Sequence, residues 1–278
     1  MFNFILNILI LYFIFRIFVL FYQKDTKLAI YYSIYLFIFL LFISLLNNYC
    51  DKVDYEIIDS GVVGPVLLIV SGSHGNEISG VHGLKSFRED FKNGTFELKK
   101  GKIIFAPELN KCGIKLDTRW KPSELFSFNF WNMDLNRNYP KTGNEEGKCD
   151  ISNTVANLVK NSDYILDFHD GYSFRRKDPQ SMGSGVYPSL SKESKEIAKY
   201  LADSLNMSIP VKEDDYRKFD SVENWSQIPG SLRKYCDDLN KNYVLVETTG
   251  QTSTYPLEIR VNQVKHLALD YCRKLNML

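Results

Sequence analysis

Residues 66–80 read VLLIVSGSHGNEISG: five apolar residues (Val66–Val70) empty into a glycine-punctuated turn that carries His74 and Glu77. A short, unbroken apolar run bounded by turn residues is the mark of a strand buried on both faces, which is how strands of a parallel sheet read. Polar residues at the carboxyl end of such a strand sit where open α/β sheets bind their ligands. The stretch therefore predicts both a fold and a place for chemistry.

Working outward from it, the chain after Asp51 alternates short apolar runs with helical patterns, which predicts an α/β fold with a mixed, mostly parallel sheet flanked by helices. Strands are expected at Tyr55–Ile58, Val66–Val70, Lys102–Ala106, Tyr164–Phe168 and Tyr243–Glu247, and helices over Glu77–Asp90, Asn153–Asn161, Ser191–Leu205, Ser231–Leu239 and Leu257–Leu275. Between them Asn110–Lys148 is too polar and too rich in Gly, Pro and Asn for a regular element, and a loop that long in a compact domain is usually functional.

The first 48 residues have a different composition, almost wholly apolar or aromatic. Phe2–Tyr22 and Ala29–Leu46 are each about long enough to cross a hydrocarbon core of ~30 Å, and the short polar connector Gln23–Lys27 joins them. The pattern predicts a transmembrane helical hairpin over 1–48, embedded in a lipid bilayer as a two-helix membrane anchor, followed by a catalytic domain over 49–278. Lys24 and Lys27 in the connector place the domain on the extracytoplasmic side. A formal net charge of +1 and the absence of basic blocks exclude nucleic acid as a partner. The five cysteines form no CxxC pair, so no zinc knuckle is expected.

Three expected strands end in groups that bind or activate: VLLIV in SGSHGNE, YILDF in His169-Asp170, and YVLV in Glu247. His74 and Glu77, three residues apart, can converge on one point, and His169 adds a third donor from another strand. Two imidazoles and a carboxylate leave a fourth tetrahedral position free, the arrangement of catalytic rather than structural zinc. Glu247 is then the candidate base. By itself HxxE is a pattern that chance supplies often, so the weight lies in three strand ends coinciding. Between them the loop holds Arg119, Asn136 and Arg137, and arginine's planar fork suits a carboxylate.

The ordered set HGNE (74–77), Arg119, DLNRNYP (134–140), DFHD (167–170) and VETTG (246–250) resembles the zinc metallocarboxypeptidases of the carboxypeptidase A type. Their relatives are the murein-peptide amidases and the succinylglutamate desuccinylase/aspartoacylase branch. The resemblance implies one Zn2+ held by His74, Glu77 and His169, with Glu247 as general base. It further implies that Arg119 polarises the scissile carbonyl, Asn136 and Arg137 receive the substrate's terminal carboxylate, and Asp134 orients His74. Trp225 stands where the family places a mobile, substrate-covering tyrosine, a role that Tyr187 is a second candidate to fill. Leu232 falls near the position that shapes the side-chain pocket, which argues against a preference for basic residues. The implied activity is hydrolysis of an amide bond beside a carboxylate-bearing residue of a peptide, a cell-wall peptide among the candidates. The alternatives are a zinc-dependent N-acyl amino acid deacylase and an inactive carboxylate-binding domain.

Overall fold

The computed structural model describes residues 2–121, 133–208, 215–224 and 228–278, in two compact units. One is built on helices α1 (Phe2–Tyr22) and α2 (Thr26–Asp51), joined by a tight turn in which Lys24 takes φ 61° and the Asp25 carboxylate accepts a hydrogen bond from Leu28 N. Among the described residues no helix is long and apolar enough to cross a membrane. This overturns the expected transmembrane hairpin, and with it the lipid-bilayer partner and the multi-pass membrane location. A span takes about 20 consecutive apolar residues, and charged or polar residues interrupt both helices. α1 carries Arg16 within its length, and α2 opens on Thr26 and Lys27.

The other unit, Val53–Lys121 with Asp134–Leu278, holds one seven-stranded sheet in the order β1-β3-β2-β4-β7-β5-β6. Its strands are β1 Glu56–Asp59, β2 Val66–Ser71, β3 Lys102–Ala106, β4 Tyr164–Gly171, β5 Gly185–Pro188, β6 Asp220–Ser221 and β7 Asn242–Thr249. Four of the six pairings are parallel, and the antiparallel ones, β1 with β3 and β5 with β7, lie toward the edges. The mixed, mostly parallel sheet flanked by helices is thus present. All five expected strands form, while β5 and β6 went unread because neither GVYP nor DS carries an apolar run.

Side-chain alternation along the central strands divides the core in two. Leu67, Ile69, Ile103, Phe105, Leu166, Phe168, Val244 and Val246 pack against α3 (Ser79–Lys92), α6 (Lys192–Ser208) and α8 (Leu257–Lys274). Leu68, Val70, Ile104, Ile165, Tyr243 and Leu245 face the other way, toward α5 (Asp150–Lys160) and α7 (Leu232–Asp238). Each such side chain contributes about 1.5–3 kcal/mol by leaving water, and the two layers hold the central strands from both faces. The long loop is not wholly irregular: it contains a short helix, α4 (Lys111–Lys115), whose N-cap Asn110 accepts from Gly113 N, and a 3-10 turn at Leu135–Arg137 capped by Asp134.

Helix α3 starts two residues later than expected and has no side-chain cap of its own at Ile78. A helix start leaves backbone N–H groups without partners, and here Asp170, from the end of β4, accepts from Ser79 N at 3.1 Å and from the Ser79 hydroxyl. The Thr248 hydroxyl and Arg260 Nη1 (2.8 Å) donate to the same buried carboxylate. One paired charge therefore ties α3, β4, β7 and α8 together where HGNE leaves the sheet.

Candidate active site

The turn between β2 and α3 carries the first two groups. Glu77 N donates to His74 O at 3.2 Å, so both side chains swing to one side of a single turn before the helix begins. Two glycines make the turn possible. Gly72 takes φ +70°, and a Cβ on Gly75 would lie 1.9 Å from the carbonyl carbon of Gly113 in α4, so only glycine fits there. His169 and Glu247 are partners in the parallel register of β4 and β7 and project from the same face of the sheet.

His74, Glu77 and His169 are all buried, and one donor atom from each lies within 4.8 Å of the others. His74 Nδ1 is 2.8 Å from Glu77 Oε1, His169 Nδ1 is 2.7 Å from Glu77 Oε2, and the two Nδ1 atoms face each other at 3.2 Å. Nitrogen atoms directed at one another across a carboxylate form a donor set for one cation, and two imidazoles with one carboxylate suit zinc. The fit extends outward: His74 Nε2 is 3.1 Å from Asp134 Oδ1, and His169 Nε2 is 3.3 Å from Asp167 Oδ2, so a carboxylate stands behind each ring. The second contact is off line for a hydrogen bond, and His169 Nε2 has no partner meeting that geometry.

The electrostatics follow from crowding. Burial pushes the Glu77 carboxyl up, but the facing His74 and His169 rings overcome it and hold the group well below the usual carboxylate range. Burial depresses His169, and the Asp167 and Glu77 carboxylates overcome that to raise it well above an ordinary histidine. Glu247 goes the other way. Its burial raises its pKa well above the usual value, the nearby charges of Glu77, Asp170 and Asp167 add to this, and only His169 opposes it. Two buried carboxylates lining one cavity are thus pushed toward opposite protonation states.

A cavity of about 270 Å3 opens over this group. Glu247, Arg119, Asn136 and Arg137 line it together with the three donors. Arg119 forks, Nη1 donating to Glu77 at 3.3 Å and Nη2 to Asp134 at 3.0 Å. Asp134 Oδ1 accepts from Asn136 N at 2.9 Å, and Asn136 Oδ1 from Leu232 N at 2.9 Å, which turns the amide NH2 of Asn136 away from α7. Arg137 Nη1 donates to Asn136 O at 2.6 Å.

Three expectations need correction or placing. Leu232 is fully buried in the core and does not line the cavity; its neighbour Arg233 does. A helix start turns successive side chains about 100° apart, and that rotation sends the apolar one inward. Tyr187 is buried and donates its hydroxyl to Met182 O at 2.8 Å, so it is not the mobile closing tyrosine. Trp225 lies outside the described residues. Sequence reading also passed over functional neighbours. Asp167 stood in the DFHD motif without a role of its own, and Tyr243, whose hydroxyl donates to Asp167 at 2.7 Å, was legible only as part of a strand. Gln251, whose Nε2 donates to Glu77 Oε1 at 2.8 Å, lies beyond the last strand motif and gave no signal.

Comparison with known proteins agrees with this architecture. Among solved structures, Csd4, a cell shape determinant from Helicobacter pylori, in its tripeptide-bound form superposes with a TM-score of 0.65 at 16% identity, covering 82% of this chain and 56% of Csd4. The product-bound ectoine utilization protein EutE (DoeB) from Ruegeria pomeroyi gives 0.56 at 17% identity, covering 81% of this chain and 61% of that one. A metallopeptidase-like protein from Shewanella amazonensis gives 0.56 at 20% identity over 80% of this chain and 82% of its own. The chain thus spans little more than half the length of Csd4. No curated protein matches the sequence. The family model of the succinylglutamate desuccinylase/aspartoacylase catalytic domain matches residues 63–268, which contain the His-Glu-His group, Arg119, the Asn136–Arg137 pair and Glu247. The chain belongs to that family.

Proposed function

We propose that the protein is a zinc-dependent carboxypeptidase that hydrolyses the amide bond next to the carboxylate-bearing terminal residue of a peptide. The observation that carries this reading is one cavity whose floor holds His74, Glu77 and His169 and whose wall holds Glu247, Arg119, Asn136 and Arg137. The two histidines and Glu77 would hold the ion, and the chemistry it supplies when bound is Lewis acidity toward a water and a carbonyl oxygen.

The chain's own groups divide the remaining work. Arg137 and the amide of Asn136 bind the terminal carboxylate, which sets the scissile carbonyl in the cavity. Arg119 releases Glu77 to donate to the oxygen that gains negative charge as the amide is attacked. Asp134 accepts on its two oxygens from both sides, keeping the His74 ring and Arg119 in register. Glu247 accepts the proton of the attacking water and returns it to the leaving amine. Beside a dication its carboxylate form is favoured, which offsets the upward push of burial.

A second reading has its own support. The matching family model is named for desuccinylase and aspartoacylase, which points to an N-acyl amino acid as substrate in place of a peptide. Purified protein supplied with zinc and given blocked dipeptides, muropeptides and N-acyl amino acids separates the two. The carboxypeptidase reading expects peptide cleavage that a chelator abolishes and zinc restores. Cleavage confined to acyl amino acids would transfer the assignment to a deacylase, and release unaffected by chelator would refute both.

A further inference from the structure

Behind His169 the sheet carries a row of polar groups whose last member has no part in the reaction above. Ile165, Asp167 and His169 alternate onto one face of β4, and Tyr243, Leu245 and Glu247 onto the same face of β7, with Ile165 beside Tyr243 and His169 beside Glu247 in the register. Tyr243 sends its hydroxyl diagonally across the two strands to Asp167 Oδ2 at 2.7 Å. The same Oδ2 stands 3.3 Å from His169 Nε2, so one oxygen lies between the phenol and the ring. Asp167 is fully buried, its Oδ1 has no hydrogen-bond partner, and no lysine or arginine pairs with it among the described residues. A carboxylate so placed is costly to bury. Its terminal torsion is also soft, so the plane it takes depends on whatever donates to it. Burial, with the Asp167 charge added, pushes the Tyr243 phenol well above its usual range, which keeps the hydroxyl protonated and able to donate.

We propose that Tyr243 is a positioning residue of the metal site: by fixing the plane of Asp167 it holds the His169 ring at the angle at which Nδ1 faces Glu77 and His74. The proposal rests on the reading in which His74, Glu77 and His169 hold zinc. A ligating histidine is aimed by what its other nitrogen meets. The His169–Asp167 contact is off line for a hydrogen bond, so the ring does not orient the carboxylate, and the shorter Tyr243 bond does. The other histidine has a support of a different kind. Behind His74, Asp134 is held by the backbone N–H of Asn136 at 2.9 Å and by Arg119 Nη2 at 3.0 Å. Asp167 has neither a backbone donor nor a guanidinium, and one phenol hydroxyl takes their place.

Tyr243→Phe keeps the ring packing and removes the hydroxyl alone. The test compares the full chain, Tyr243→Phe, Asp167→Asn and the double variant by competition for zinc against a chelator of known affinity. Visible absorption of the cobalt-substituted proteins reports ligand geometry, and Tm of the chelated proteins reports folding. Tyr243→Phe should lower zinc affinity by ~10-fold, the low end for a partner behind a ligating histidine, and should shift the cobalt bands. In the Asp167→Asn background the same change should cost about 2-fold or less, because the effect passes through Asp167. An equal loss in both backgrounds, or wild-type affinity and cobalt bands in Tyr243→Phe, would overturn the proposal. So would a variant that binds zinc as wild type does and only raises the substrate KM, since Tyr243 would then be a substrate contact. Wild-type protein that takes up no zinc would sink the metal reading and this proposal with it, whereas normal uptake untouched by Tyr243→Phe sinks the proposal alone. Should Tyr243→Phe not fold, Tyr243→His with and without Asp167→Asn decides by the same coupling.

Discussion

Glu247 lies 7% exposed near three other acids, Glu77, Asp170 and Asp167, at the end of a central strand, so its charge is opposed by every nearby charge except His169. Its folded pKa lies well above the ordinary 4.5, which means the folded protein holds a proton there that the unfolded chain gives up. The stability this group contributes is complete below about pH 4.5 and is lost as pH rises through the folded pKa. Glu247→Gln never ionises and escapes that loss. In chelated protein the variant should melt above wild type at pH 7, and the gap should close toward pH 4; a variant less stable at every pH would contradict the assignment. The same change should lower kcat/KM of the zinc enzyme by about 10²–10⁴, the usual share of a general base.

At the scale of elements, the β2–α3 turn is the part that aims the site. Gly75 has no room for a methyl group because the backbone of α4 lies against it. Gly75→Ala must therefore push α4 away or tilt the turn, at a cost of about 1–3 kcal/mol for overpacking. His74 and Glu77 flank the shifted residue, so the expected result is a lower Tm with a larger relative loss of zinc affinity, measured by metal content after dialysis against a competing chelator. Retained zinc at wild-type affinity would mean that the turn is more forgiving than its contacts indicate. The Asp170–Arg260 pair on the opposite face holds the start of α3, and through Asp170 N also holds Glu77 Oε2 at 3.2 Å. Helix position and ligand position are thus set by one residue.

For the whole molecule, the three proposed metal donors come from two segments about ninety residues apart, the β2–α3 turn and β4. An ion bound across them exists as a site only in the folded chain. Zinc should therefore stabilise by mass action, by about 4 kcal/mol at a thousand times its dissociation constant. Titration of zinc into chelated protein, followed by thermal melting, is expected to raise Tm, and His169→Ala should remove the shift. A Tm indifferent to zinc would argue against the three-donor site.

What the sequence alone determined was local. Apolar runs such as Val66–Val70 specify strands because burying them is favourable wherever they lie. The residues at the ends of those strands, His74, Glu77, His169 and Glu247, were legible because parallel strands deliver their carboxyl ends to one edge of the sheet. What the tertiary structure decided was pairing and rotation. That Asp167 stands behind His169, that Gln251 reaches Glu77 and that Arg260 neutralises Asp170 depend on contacts between segments far apart in the chain. That Arg233 rather than Leu232 faces the cavity depends on the rotation of α7, which its packing sets. The reading of 1–48 failed in the other direction. Composition registers how apolar a stretch is, but crossing a bilayer requires apolar helix sustained over ~30 Å, and no described helix provides it.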